Sequence, residues 1–197
     1  MATDTSRTLC LVDIRGFQHY ALRLAPAAAA VANFCDRVEH NELVDRDWVV
    51  DAGTGLRELA TEMARAVELP VIELYAERLG EIEARNVLGH PGAYDGHRAA
   101  LDARTWRDLQ VVQATHDRHY HPDVSGLSKA EQLRHYALHL AKIVGAFAQP
   151  RGADELVHRR LPDTLLFGIK LATVMGVRLG DEPLPETLPA RRAAVAT

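Results

Sequence analysis

The chain reads as an all-α helical bundle made from two diverged helix hairpins, and three observations predict it. Apolar residues recur with a period near 3.6 rather than 2 along most of the 197 residues. Strand character is confined to TLCLVDI, residues 8–14. One helical phrase is also written twice, HYALRLA from His19 and HYALHLA from His135, with six of seven letters shared.

The elements follow in order. After TLCLVDI and the first phrase, helices are expected over LRELATEMARAVE (56–68) and VIELYAERLGEIEARNV (71–87), each with one apolar face. LGHPGAYDG (88–96) is rich in Gly and Pro and reads as a link. ARTWRDLQVVQATHDRHY (103–120) is a helix ended by the His121–Pro122 step. SKAEQLRHYALHLAKIVGAFA (128–148) carries a single stripe of Leu133, Tyr136, Ala137, Leu140, Ile143, Val144 and Phe147. Ser128 and Glu131 there form a capping box. In DELVHRRLPDTLLFGIKLATVMG (154–176), Pro162 cannot donate to the helical ladder, so a start or bend is expected there, with a stop at Gly176. The three prolines from Asp181 onward make the end an extended tail. The expected units are therefore 1–87, a link at 88–102, a second helical unit at 103–180 and a tail at 181–197.

The repetition extends past its first phrase. NELV, ending at Val44, answers DELV, ending at Val157, and LATEM (59–63) answers LATVM (171–175), in the same order. Offsets of 116, 113 and 112 residues place most of the drift in connections, where length changes are tolerated. A duplicated hairpin predicts a pseudo-two-fold bundle in which each stripe packs on its counterpart. A homodimer remains open.

Composition bounds the function. A formal charge of −4 leaves no basic excess for neutralising phosphates, so nucleic acid is not an expected partner. No apolar run approaches the roughly 20 residues of a membrane helix, and MATDTSRTLC lacks a cationic stretch followed by an apolar one. A cytoplasmic protein with no membrane partner is expected. Cys10 and Cys35, without a CxxC motif, read as reduced packing residues.

The segments DLQVVQATHDRHY, LHLAKIVGAFA and RLPDTLLFGIKLATVMG resemble, in that order, the all-α MazG-like nucleoside triphosphate pyrophosphohydrolases. The resemblance covers about residues 103–180, with a partial echo in 17–70. It implies an all-α bundle whose E-E-x-x-E and E-x-x-D carboxylates hold magnesium for attack of water on a triphosphate. This chain departs from that pattern: Lys142, Ile143, Ala146 and Arg160 stand at the glutamate positions, and Asp163 alone keeps its acid. In the first repeat the same columns fall on Pro26, Ala27, Ala30, Trp48 and Asp51. Magnesium is therefore not an expected cofactor.

At 100° per residue, His135, His139 and Lys142 share one face of their helix. With Arg160 and Asp163 they form the expected ligand site, in which Lys142 meets an anion as a point charge and Arg160 as a planar fork. A rival set for zinc is His116, His119 and His121 of THDRHYHPD, alone or joined to His135, His139 and Asp163. His116–Asp117 also resembles the dipeptide of HD-type phosphohydrolases, without the letters that follow it there. LVDIRGF resembles the metal-binding strand of class III nucleotide cyclases, a fold the duplicated hairpin argues against. The expected function is recognition of a nucleotide or other phosphorylated small molecule in a basic pocket, with magnesium-dependent pyrophosphohydrolysis lost. The alternatives are a non-catalytic interaction protein and a His/Asp metal-dependent hydrolase.

Overall fold

The computed structural model describes residues 14–85 and 93–185. Residues 8–13 of the expected strand, Cys10, most of the 88–96 link and the tail beyond Pro185 lie outside them. A 3-10 turn, Ile14–Phe17, leads into α1 (Gln18–Glu39), followed by α2 (Asp47–Ala66) and α3 (Val71–Arg85). Then come α4 (Gly96–Asp102), α5 (Trp106–Tyr120), the single turn α6 (Pro122–Ser125) and α7 (Lys129–Ala148). The short α8 (Ala153–Glu155) runs through a π-helical turn, Leu156–Arg160, into α9 (Leu161–Val174). Among the described residues there is no strand, only an isolated bridge between Thr105 and Pro183. None of their helices is long and apolar enough to cross a membrane.

The helix starts follow from local chemistry. Ser128 and Glu131 close the expected capping box on α7, and Thr105 with Asp108 closes another on α5. α9 ends as its glycine predicts. Gly176 takes a φ of +71°, and the Val177 N–H turns back to donate to the Ala172 carbonyl at 2.8 Å. Pro162 has a subtler effect than a break. The N–H of Leu161 donates to the Leu156 carbonyl, one residue farther back than in an α-helix, and Pro162 then occupies the first turn of α9, where no donor is needed.

The helices pair across the two expected units. α1 lies antiparallel to α7: the Phe17 ring stacks on Phe147 with centroids 6.2 Å apart at one end, and Arg134 pairs with Glu39 at the other. α2 lies antiparallel to α9. Arg46 Nη2 donates to the Met175 carbonyl at 2.7 Å, and the two backbones meet at Gly53 and Gly168. A Cβ on Gly168 would sit 2.9 Å from the Gly53 carbonyl oxygen, so only glycine allows this approach. α1 thus lies against α7 and α2 against α9, and one apolar core joins them.

One expectation needs correction. The 88–102 link is helical in part, since Gly96–Asp102 forms α4, capped by Asp95 and packed on α3. Residues of the units at 1–87 and 103–180 share one apolar core. α9 is buried everywhere but Thr173, its polar Asp163, Thr164 and Lys170 included, so it sits centrally with α2, α3, α5 and α7 around it.

Candidate functional site

A cavity of about 250 Å3 opens where α3, α5, α7 and α9 meet. Its α7 wall carries His135, His139 and Lys142, three successive turns of the face opposite the apolar stripe. Arg160, the last residue of the π-helical turn, and Asp163, Leu166, Phe167 and Lys170 of α9 supply a second wall. α5 contributes Gln113, His116 and Asp117, and α3 contributes Arg78 and Ile82. All five residues expected to bind a ligand line this one hollow, and His116 and His121 of the proposed zinc set border it too.

His119 does not. It is exposed and stacks on Tyr94, with ring centroids 5.7 Å apart. Two residues advance an α-helix by about 200°, so His119 lies on the far side of α5 from Asp117. Among the described residues no group of three or more His, Cys, Asp or Glu side chains could hold a metal ion. The set His116, His119 and His121 is thus not brought together, because helix geometry separates letters that are close in sequence.

The charges inside the cavity are mostly spoken for. Asp163 is gripped on both oxygens: Arg78 Nε donates to Oδ1 at 2.7 Å, and Arg160 Nη1 lies 3.4 Å from Oδ2. Arg78 also pairs with Glu81 at 2.7 Å and Arg160 with Glu155 at 2.8 Å. Deeper down, Lys170 Nζ sits 2.8 Å from Asp117 Oδ1 and lies over the Tyr136 and Phe167 rings. A short chain completes this layer. Tyr75 Oη donates to Gln113 Oε1 at 2.7 Å, and Gln113 Nε2 donates to Asp117 Oδ1 at 2.9 Å. Lys142, at the exposed mouth, makes no ion pair among the described residues.

Burial keeps the imidazoles from adding to the positive charge. Burial pushes His139 down to about 4, helped by His135, Lys142 and Lys170. Burial likewise pushes His116 down to about 4, and Lys170 and His121 add to that fall. His121 and His135 are lowered by burial and by Lys170 as well. His116 and His139 are therefore neutral at pH 7, and the cavity's positive charge comes from Lys142 and the three paired cations.

His116 is also the orphan of the site. Its ring is fully buried, both nitrogens are closed to solvent without a hydrogen bond of normal geometry, and the Leu79 backbone of α3 lies near enough to favour its proton. Glu83 Oε1 lies 3.5 Å from Nε2, too far for one, and is itself occupied by the Gly96 N–H at 2.9 Å. No other buried side-chain nitrogen or oxygen among the described residues lacks a partner.

Sequence reasoning missed Arg78, Gln113, Phe167 and Lys170. Lys170 left a trace, as the lone cation in the apolar run LLFGIKLATV. Arg78 left none, since its role follows from where α3 packs.

A second hollow, of about 460 Å3, lies between α1 and α2. Pro26, Ala27, Ala30, Trp48 and Asp51 line it, the residues matched above to Lys142, Ile143, Ala146, Arg160 and Asp163. Arg23 and Glu62 pair at its rim. A third hollow, of about 440 Å3, is bordered by Arg57, Glu58, Trp106 and Glu182, and none of the expected site residues touches it.

Comparison of the chain with protein-family models, with curated proteins and with solved structures gave no match.

Proposed function

We propose that this protein recognises a small molecule carrying one phosphate or carboxylate group, held in the cavity between α3, α5, α7 and α9. The observation that carries the reading is Lys142, an exposed cation without an ion pair among the described residues, at the mouth of a hollow whose deeper walls carry Arg78, Arg160 and Lys170. The cavity volume of about 250 Å3 falls below the roughly 300–1,000 Å3 usual for larger ligands, which favours a compact molecule. The MazG-like resemblance and the hairpin duplication belong to this proposal. The pairing of α1 with α7 and α2 with α9 supports the duplication, as does the second hollow at the matched columns. A cytoplasmic setting is part of the same reading.

Hydrolysis through magnesium has little support. Both oxygens of Asp163 face arginines, so a cation would have to displace Arg78 and Arg160 to reach the one acid retained from the family pattern.

The test is a thermal-shift titration with inorganic phosphate at constant ionic strength. Binding to the folded state alone adds RT ln(1 + [L]/Kd), about 2.7 kcal/mol at 100 Kd, so a midpoint rise is expected in the wild type and its loss in Lys142→Met. No rise with phosphate, with phosphomonoesters or with carboxylates would overturn the reading. Magnesium-dependent release of pyrophosphate from nucleoside triphosphates should be absent. The satisfied ion pairs favour one second reading, in which the cavity is structural and the protein a non-catalytic interaction module; that reading predicts no shift with any of these anions.

A further inference from the structure

We infer that the third hollow, of about 440 Å3, is a further binding site, and that it takes a free α-amino acid with a large apolar side chain. Thr54, Arg57, Glu58, Thr61 and Arg65 follow one another at helical spacing along α2, so they form one stripe, and that stripe is one wall of the hollow. Another wall is Trp106, at the start of α5, with residues 179–185 tied to it. Backbone hydrogen bonds fix this second wall. The Arg107 N–H donates to the Gly180 carbonyl at 3.0 Å, that of Trp106 to the Glu182 carbonyl at 3.3 Å, and that of Leu184 to the Arg104 carbonyl at 3.0 Å. No residue lining this hollow lines the cavity at Lys142, so either site can fail without the other.

Arg57, Arg65, Glu58 and Glu182 line the hollow, and none of them makes an ion pair among the described residues. Arg57 is the telling one, because it is part-buried. Its Nη1 lies 3.4 Å from the Gly168 carbonyl oxygen and its Nη2 3.3 Å from Thr54 Oγ1, both long contacts. Its Nε makes no hydrogen bond and is still open to solvent, since among the described residues only the His116 nitrogens are both closed and unbonded. The guanidinium lies between Thr54 and the Trp106 ring, 5.8 Å from the ring centroid, and both neighbours line the hollow. A carboxylate suits such a planar fork of donors. Glu182 is held in place as well: its carboxylate folds back over Gly180, into the space a Cβ there would fill. Two cations and two anions leave the lining neutral, which disfavours a phosphate dianion and suits a dipolar ion. Its carboxylate meets Arg57 and its ammonium meets Glu182 and Glu58. The Thr61 hydroxyl favours the same ligand, because it spends its proton on the Arg57 carbonyl at 2.9 Å and keeps only lone pairs to offer. Trp106, Leu179 and Pro185 give apolar surface for the side chain. The volume lies within the roughly 300–1,000 Å3 of small-molecule sites.

The experiment is isothermal titration of the full chain with L-phenylalanine and with 3-phenylpropionate, 2-phenylethylamine and glycine, which lack in turn its ammonium, its carboxylate and its side chain. L-Phenylalanine should bind about fivefold tighter than 3-phenylpropionate, the upper weight of a solvent-exposed ion pair. It should exceed 2-phenylethylamine by about tenfold or more, the weight of a charge-assisted hydrogen bond to a part-buried group, and glycine by a similar factor through lost apolar contact. Glu182→Gln changes an exposed side chain; it should bring L-phenylalanine toward the affinity of 3-phenylpropionate and leave the latter no weaker. Arg57→Met keeps an apolar stem against Gly168 and should weaken both ligands together. If Arg57→Met does not fold, the wild-type series and Glu182→Gln decide the matter. The inference is overturned if 3-phenylpropionate or glycine binds as tightly as L-phenylalanine, if binding is the same in both variants as in the wild type, or if L-phenylalanine does not bind.

Discussion

Acidification should destabilise this protein well above the pH at which its carboxylates protonate, with His116 and His139 carrying the largest shares. The buried ring titrates near 4 in the folded chain against 6.5 when unfolded. Between those values the unfolded chain binds a proton that the folded chain does not, so stability rises with pH in this window. The contribution is complete above pH 6.5 and is lost as pH falls toward 4. Linkage gives a loss of about 2 kcal/mol by pH 5 and about 3 kcal/mol by pH 4 from this group alone. The groups facing His116 are Glu83 of α3, Tyr120 and Asp117 of its own helix, the following His121, and Lys170 of α9. Glu83 is raised chiefly by its own burial, so it too resists charging beside the imidazole. The assay is urea unfolding followed by circular dichroism at pH 7, 6, 5 and 4.5, in the wild type and in His116→Met. Methionine suits the site because its flexible chain fills irregular space without a titrating group. His121, His135 and His139 push the same way but are present in both proteins, so the difference isolates His116. Parallel pH curves for the two proteins would refute the reasoning.

Two further perturbations test the scaffold. Asp163→Ala strands Arg78 and Arg160 against each other and should destabilise by about 2 to 3 kcal/mol in chemical denaturation. That is below the roughly 3–5 kcal/mol for breaking a fully buried pair, because both arginines keep some solvent contact; a change below about 0.5 kcal/mol would show the pairs to be incidental. Gly168→Ala places a Cβ 2.8 Å from Arg57 Cγ and 2.9 Å from the Gly53 carbonyl, and should destabilise by about 1 to 3 kcal/mol through overpacking. Gly55→Ala, two residues farther along α2 and exposed beside the second hollow, meets nothing within 4 Å and should stabilise by up to about 1 kcal/mol through helix propensity. Equal effects at the two positions would contradict the backbone contact.

The sequence exposed the helices and much of the cavity because both depend on a period that letters carry. The α7 stripe of Leu133, Tyr136, Leu140, Ile143 and Phe147 fixes which way that helix faces, and with it where His135, His139 and Lys142 point. Placing RLPD on the E-x-x-D pattern of the resemblance led to Arg160 and Asp163, and carrying the same columns to the first hairpin led to residues that line the second hollow. Two things were hidden. Protonation depends on burial from all sides, so His135 and His139 read as basic although burial and nearby lysines disfavour their charge. Partnership across helices was hidden as well: nothing near Arg78 in sequence announces Asp163, 85 residues away. His119 misled for the converse reason, since neighbours in a helical stretch diverge by 100° per step.

The widened turn at Leu156–Arg160 bears on how any future relative of this chain should be judged. The turn seats one residue more than an α-helical turn holds, and Glu155 meets Arg160 across it, five residues on. In a homologue one residue shorter at this turn an ordinary α-helical turn would place the same two side chains four apart, still neighbours on one face. Pairing of an acid with the guanidinium ahead of Pro162 is then a better sign of a shared design than the number of residues between them.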